Sequence, residues 1–162
     1  MKFHKQLFKH EPEKGVFGDC FRTSIGCLLD LEPGEVPHFY AEPGATRESV
    51  EDHIQGFLEN RGMRLIDVPY MMGQKMKPEE FLASVLAKMY PNIPVLFSGT
   101  SRTGCNHTVI AYNDAILHDP SLTGAGIIGP CDDGHYWIGF MAVALDGPAD
   151  GEVVRKVGDG AK

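Results

Sequence analysis

The sequence predicts an α+β domain, with helices leading and an antiparallel sheet in the C-terminal half. Three observations carry that expectation. Apolar residues recur at helical spacing as far as about Tyr90. Beyond it, short runs rich in Val, Ile, Phe and Tyr alternate with turn residues. The 162 residues, 43% hydrophobic and 23% charged, are enough for one domain with its own core. Residues 1–146 read as that single domain, and 147–162, built of Gly, Asp and small residues, as a flexible tail.

The first 18 residues read as irregular and end in Gly15-Val16-Phe17-Gly18. Asp19 has the character of a helix N-cap, and a helix runs from Cys20 to about Leu29, with Ile25, Leu28 and Leu29 on its apolar face and Pro33-Gly34 as its stop. A second helix spans about Arg47 to Asn60, capped by Thr46 and ended by Gly62; Val50, Ile54, Phe57 and Leu58 line one face. Met63 to Val68 reads as a short strand. Pro78 at a first-turn position opens a third helix over Glu79–Tyr90. Pro94-Val95-Leu96-Phe97-Ser98 is a strand, His107–Tyr112 and Ala115–Asp119 form a hairpin around Asn113-Asp114, a Gly-rich loop covers Pro120–Gly134, and Tyr136–Leu145 closes the sheet.

Composition excludes several roles. Net charge is −7, with Lys and Arg scattered rather than gathered in a stripe, so no nucleic-acid partner is expected. The N-terminal residues are charged throughout, and no stretch approaches the ~18 apolar residues of a membrane span. The expectation is a cytoplasmic protein with no membrane partner, whose four cysteines (Cys20, Cys27, Cys105, Cys131) stay reduced. Cys105-Asn106-His107 and Cys131-Asp132-Asp133-Gly134-His135 do not match zinc-site spacing, so no metal and no cofactor is expected. Gly124-Ala125-Gly126-Ile127-Ile128-Gly129 lacks the strand and helix of a dinucleotide loop and reads instead as a mobile loop beside the site. Met71, Met72 and Met76 suit either a substrate groove or the core, and Trp137 either a shield over the site or the core.

Gly18-Asp19-Cys20-Phe21 is the most informative stretch. A cysteine in the first turn of a helix faces unpaired N–H groups and the positive end of the dipole, which favour thiolate. The same N–H groups can hold an oxyanion, and Gly18 allows a substrate backbone to approach. Cys27, two turns on, reads as core. His107 opens an apolar strand, and the return strand ends in His118-Asp119-Pro120, which suits a general base with an acid to orient it. Register decides that pairing. With a two-residue loop at Asn113-Asp114, Val109 faces His118 and Asp119 points away from His107. A three-residue loop, or a bulge, makes His107 and Asp119 diagonal neighbours on one face and leaves His118 on the other.

Cys on an N-terminal helix, then Asn106-His107-Thr108-Val109, then His118-Asp119-Pro120, resembles the papain-like cysteine peptidase superfamily. The pattern from Gly18 to Trp137 is nearest to the bacterial double-glycine leader peptidase group. The resemblance implies a single papain-like domain over 1–146, with N-terminal helices packed on a C-terminal antiparallel sheet. It implies a thiol hydrolase acting on a peptide or protein substrate, cleaving a peptide, isopeptide or related amide bond. Cys20 would be nucleophile, His107 base and Asp119 orienter. One departure stands out. The superfamily often has a glutamine a few residues before the cysteine to donate to the oxyanion. Glu13 to Asp19 holds none, and Gln6 lies too far upstream to count on. The oxyanion hole then rests on the Cys20 backbone N–H and a donor from the Asp19 backbone, Lys14 or Asn106, with Gly18 lining the substrate path. Transglutaminases and arylamine acetyltransferases use the same order of residues, so an acyltransferase is the alternative, and a non-catalytic binding domain the third reading.

Overall fold

The computed structural model describes residues 1–41, 46–71 and 76–144. Its elements are α1 (Cys20–Leu29), α2 (Arg47–Glu59), β1 (Met63–Met71), α3 (Pro78–Phe81), a π-helical stretch Leu82–Leu86 that continues into α4 (Ala87–Met89), then β2 (Val95–Thr100), β3 (Asn106–Tyr112), β4 (Ala115–His118) and β5 (His135–Val143). The five strands form one antiparallel sheet in the order β1-β5-β2-β3-β4. The expectation of mixed helix and sheet therefore holds, but helices do not all precede strands. β1 sits between α2 and α3 in the chain and pairs with the last strand over its full length, from Met63↔Val143 to Met71↔His135. The predicted tail 147–162 and Met72 lie outside the described residues.

Helices cover both faces of the sheet. Leu96 and Leu65 pack with Ile25 of α1 and with Val50, Ile54 and Leu58 of α2. Phe97, Val109, Ala111, Tyr136 and Ile138 pack with Phe81, Leu82 and Leu86 of the third helical segment. The neighbours Leu96 and Phe97 enter opposite cores because successive strand side chains point to opposite faces. Aromatic rings tighten the second core: Phe81 stacks on Phe97 at 5.5 Å and lies 4.9 Å from Tyr136. Met76 belongs to this core, and its carbonyl accepts from the Tyr136 hydroxyl at 3.0 Å; Met71 is exposed.

Local signals account for the helix ends. Thr46 Oγ1 accepts from the Ser49 N–H at 3.2 Å, and Gly62 follows α2 in the left-handed region at φ 66°. α1 ends at Leu29, the bound the sequence predicts, but Pro33 is not what stops it. Asp30 takes the left-handed conformation (φ 58°), and the Leu31 N–H reaches back to the Gly26 carbonyl at 2.9 Å, a closure usually given to glycine.

Two glycines should respond oppositely to alanine. A Cβ on Gly99 would lie 2.5 Å from the Gly129 carbonyl oxygen and 2.6 Å from Ile127 Cγ2. That carbonyl is held by the Thr100 N–H at 2.8 Å, so it cannot step aside cheaply. Gly99→Ala should destabilise by about 1–3 kcal/mol. Gly56 is exposed within α2 with nothing near its would-be Cβ, and Gly56→Ala should stabilise by about 0.5–1 kcal/mol. Urea unfolding of the two variants checks both signs.

Candidate active site

The turn of the β3–β4 hairpin is the two-residue Asn113-Asp114, with Tyr112 paired to Ala115 and Asn113 left-handed at φ 53°. That turn alone would point Asp119 away from His107. A bulge corrects it: Ala111 pairs with Ile116 while Ile110 pairs with His118, so Leu117 is the extra residue. His107 Nε2 and Asp119 Oδ1 then meet at 2.7 Å. His118 turns to the other side, where Nε2 binds the His4 carbonyl at 2.7 Å and the ring stacks on Phe3.

Asp119 is fixed by more than the histidine. Its Oδ1 accepts from the Ser121 N–H at 2.8 Å and its Oδ2 from the Gly126 N–H at 2.9 Å. The Gly-rich loop expected to be mobile is therefore sewn down. Thr100 and Gly129 form a bridge, Ile127 is buried, and Arg102 donates to the Gly124 carbonyl at 2.9 Å. Backbone N–H groups that would otherwise need water are spent on a carboxylate and on the sheet.

α1 brings the thiol to the pair. Ser24, one turn after Cys20, donates from Oγ to the carbonyl of Thr108, the residue after His107. Cys20 and His107 line one cleft of about 330 Å³, together with Gln6, His10, Gly18 and Asn106. With Nε2 engaged by Asp119, Nδ1 is the ring nitrogen left for the sulfur. A larger hollow of about 520 Å³, walled by Leu65, Ile66, Ala142 and Val143, lies where β1 meets β5 and holds no cysteine or histidine. Chemistry, not size, singles out the smaller cleft.

The electrostatics follow from these contacts. Burial opposes a charge on His107, but the hydrogen bond to Asp119 and then the Cys20 sulfur outweigh it and raise the ring to about 9. Burial likewise opposes charge on Asp119. The His107 bond and the Ser121 and Gly126 amides outweigh it and hold the carboxylate well below its usual range. At neutral pH the pair is an imidazolium on a carboxylate, with a sulfur beside the ring. Cys131 differs: burial, then Asp133 and Asp132, push its thiol up to about 12, which leaves it protonated and inert.

The other expected site residues separate. Gly18 lines the cleft, and its N–H donates to His10 Nδ1 at 3.2 Å. Asn106 also lines it, its Oδ1 held by the Asp132 N–H at 3.1 Å. Asp19 does not: its side chain is 0% exposed and makes no helix-capping bond. Its carboxylate accepts from the N–H groups of Leu7 at 3.2 Å and Phe8 at 2.8 Å and from Arg22 Nε at 3.0 Å. Lys14 is spent on Glu11, and Trp137 donates to Asp133 instead of covering His107. Among the described residues, no group of three or more His, Cys, Asp or Glu is placed to hold a metal ion.

Gln6 is the residue that sequence reasoning set aside. Fourteen positions before Cys20, it is 9% exposed and lines the cleft with the thiol. Its N–H binds the Pro120 carbonyl at 2.9 Å, and Nε2 donates to the Phe8 carbonyl at 2.7 Å, which fixes the amide and leaves a second N–H. A lone side-chain amide in the irregular arm was the one signal available. No family model matches the chain, and neither does any curated protein or solved structure.

The raised His107 value sets a stability window. The folded ring keeps its proton after the unfolded ring loses it near 6.5, so its stabilisation is complete below pH 6.5 and is lost as pH rises through about 9. Urea midpoints should fall across that window in the wild type and stay flat in His107→Gln. Above pH 9 the Cys131 thiol ionises in the unfolded chain while the folded one stays protonated, which lowers both.

Proposed function

We propose that the protein is a thiol-dependent hydrolase of papain-like design that cleaves a peptide, isopeptide or related amide bond. The observation that carries this reading is the charged His107–Asp119 pair sharing a cleft with a cysteine at a helix start. At the helix start the first-turn N–H groups lack backbone partners, and the imidazolium shares the cleft with the sulfur.

The chemistry runs in two halves. The Cys20 sulfur adds to the carbonyl carbon, and the carbonyl electron pair moves onto oxygen. The Cys20 N–H and the free N–H of Gln6 donate to that oxyanion. As the pair returns, the C–N bond breaks and His107 passes its proton to the leaving amine. The product is a thioester on Cys20. Water then attacks the thioester carbonyl and gives a proton to His107; the C–S bond breaks, the acid product leaves, and the sulfur and the protonated ring return to their starting state. Asp119 keeps Nε2 occupied throughout, so that Nδ1 serves the sulfur and the substrate.

Screening a peptide library by mass spectrometry identifies a substrate, and variants are then compared on it. Cys20→Ala should show no turnover, and His107→Ala should lose about 10²–10⁴-fold in kcat/KM or more, with circular dichroism unchanged. Gln6→Ala should lose about 10²–10³-fold in kcat with little change in KM, as removal of an oxyanion donor does. Turnover within tenfold of wild type in either the Cys20 or the His107 variant would sink the proposal.

A further inference from the structure

We infer that Asp19 is a positioning residue that builds the oxyanion hole at a distance, by tying the N-terminal arm so that Gln6 stands beside Cys20. The inference rests on the thiol-hydrolase reading and extends it to a residue that touches no substrate.

Gln6 lies between two clamps. On one side, Lys5 Nζ donates to the Asp119 carbonyl at 2.7 Å and to the Ser121 carbonyl at 2.9 Å. On the other, Leu7 and Phe8 give both their N–H groups to the Asp19 carboxylate, at 3.2 and 2.8 Å. Asp19 precedes the nucleophile in the chain, and Lys5 holds the residue that orients the base. The arm is thus measured against both halves of the site. The carboxylate is itself locked: Arg22 binds Oδ2 at 3.0 Å and reaches on to the Val36 carbonyl at 3.1 Å, both side chains being 10% exposed or less. A buried anion with three donors is costly to disturb, because any unpaired member is left desolvated. An asparagine of the same shape offers one oxygen where three donors converge and turns its NH₂ toward at least one of them.

Two reagents separate this role from a general structural one. Iodoacetamide alkylates Cys20 by displacing iodide from carbon, and no oxyanion forms. With p-nitrophenyl acetate the thiolate adds to the ester carbonyl, the oxygen takes the electron pair, and p-nitrophenolate departs. Only the second reagent needs the oxyanion hole. The Cys20→Ala variant supplies the background from other thiols for both. Asp19→Asn should slow the acylation burst about tenfold or more while leaving Cys20 alkylation within about threefold of wild type. Combined with Gln6→Ala, it should add no further loss, since both act on one donor. Equal slowing with both reagents, unchanged acylation, or multiplying losses in the double variant overturns the role of Asp19. Should Asp19→Asn fail to fold, Leu7→Pro replaces it in the same scheme, removing one N–H to the carboxylate and leaving the Asp19–Arg22 pair in place. If wild-type Cys20 reacts with iodoacetamide no faster than the partly exposed Cys105, the hydrolase reading fails and takes this inference with it.

Discussion

One extra residue in β4 governs the site. Leu117 has no partner in β3, and every residue after it is shifted by one place in the ladder. Because strand side chains alternate between faces, that single place moves Asp119 to the side of His107 and sends His118 to the other. The 2.7 Å contact between Nε2 and Oδ1 follows, and with it the charge on the ring. The extra side chain is cheap to accommodate, since Leu117 is 42% exposed on an edge strand.

The acid is then fixed by backbone as well as by the charged ring. Ser121 and Gly126 donate N–H groups to its two oxygens, so the loop that carries it also solvates it. Gly126 sits at φ 62°, a left-handed conformation that glycine adopts without strain. The loop closes on the sheet because Gly99, opposite His107 in the register, has no side chain to hold it off. A small residue on β2 thereby lets a loop approach that a larger one would displace, and the loop in turn holds Asp119 where the bulge delivers it.

The local features of this arrangement are legible in the sequence, and the long-range ones are not. Thr46, Gly62, Pro78 and Asn113 act on neighbours within four residues, and each occupies the place its chemistry suggests. The requirement for an odd loop or a bulge is legible too, since it follows from the alternation of strand faces once His107 and Asp119 are paired. Which of the two solutions operates is set by packing and hydrogen bonding of β4, which no local pattern reveals. Asp30 ends α1 where glycine would be expected, so Pro33 looked like the stop. β1 joins the sheet through β5, its partner some seventy residues on, so a helices-then-strands reading could not place it.

Asp19 shows the same limit most sharply. Next to a cysteine at a helix start, Asp19 reads as a cap with its side chain and as an oxyanion donor with its backbone, because sequence neighbours are the only neighbours then in view. In the fold its three partners are Arg22 and two amides of an arm more than ten residues upstream. The irregular arm has almost no core of its own: Phe3, Leu7 and Phe8 are exposed, and it is held by hydrogen bonds to Asp19, Asp119, Pro120 and Ser121. Such a segment gains order from directional bonds to a rigid frame rather than from apolar burial, so its position is accurate only where those bonds converge. They converge on residues 4 to 8, the stretch that carries Gln6 into the cleft. The helix start and the arm are tied through one carboxylate, as the base-bearing strand and the loop after β4 are tied through Asp119.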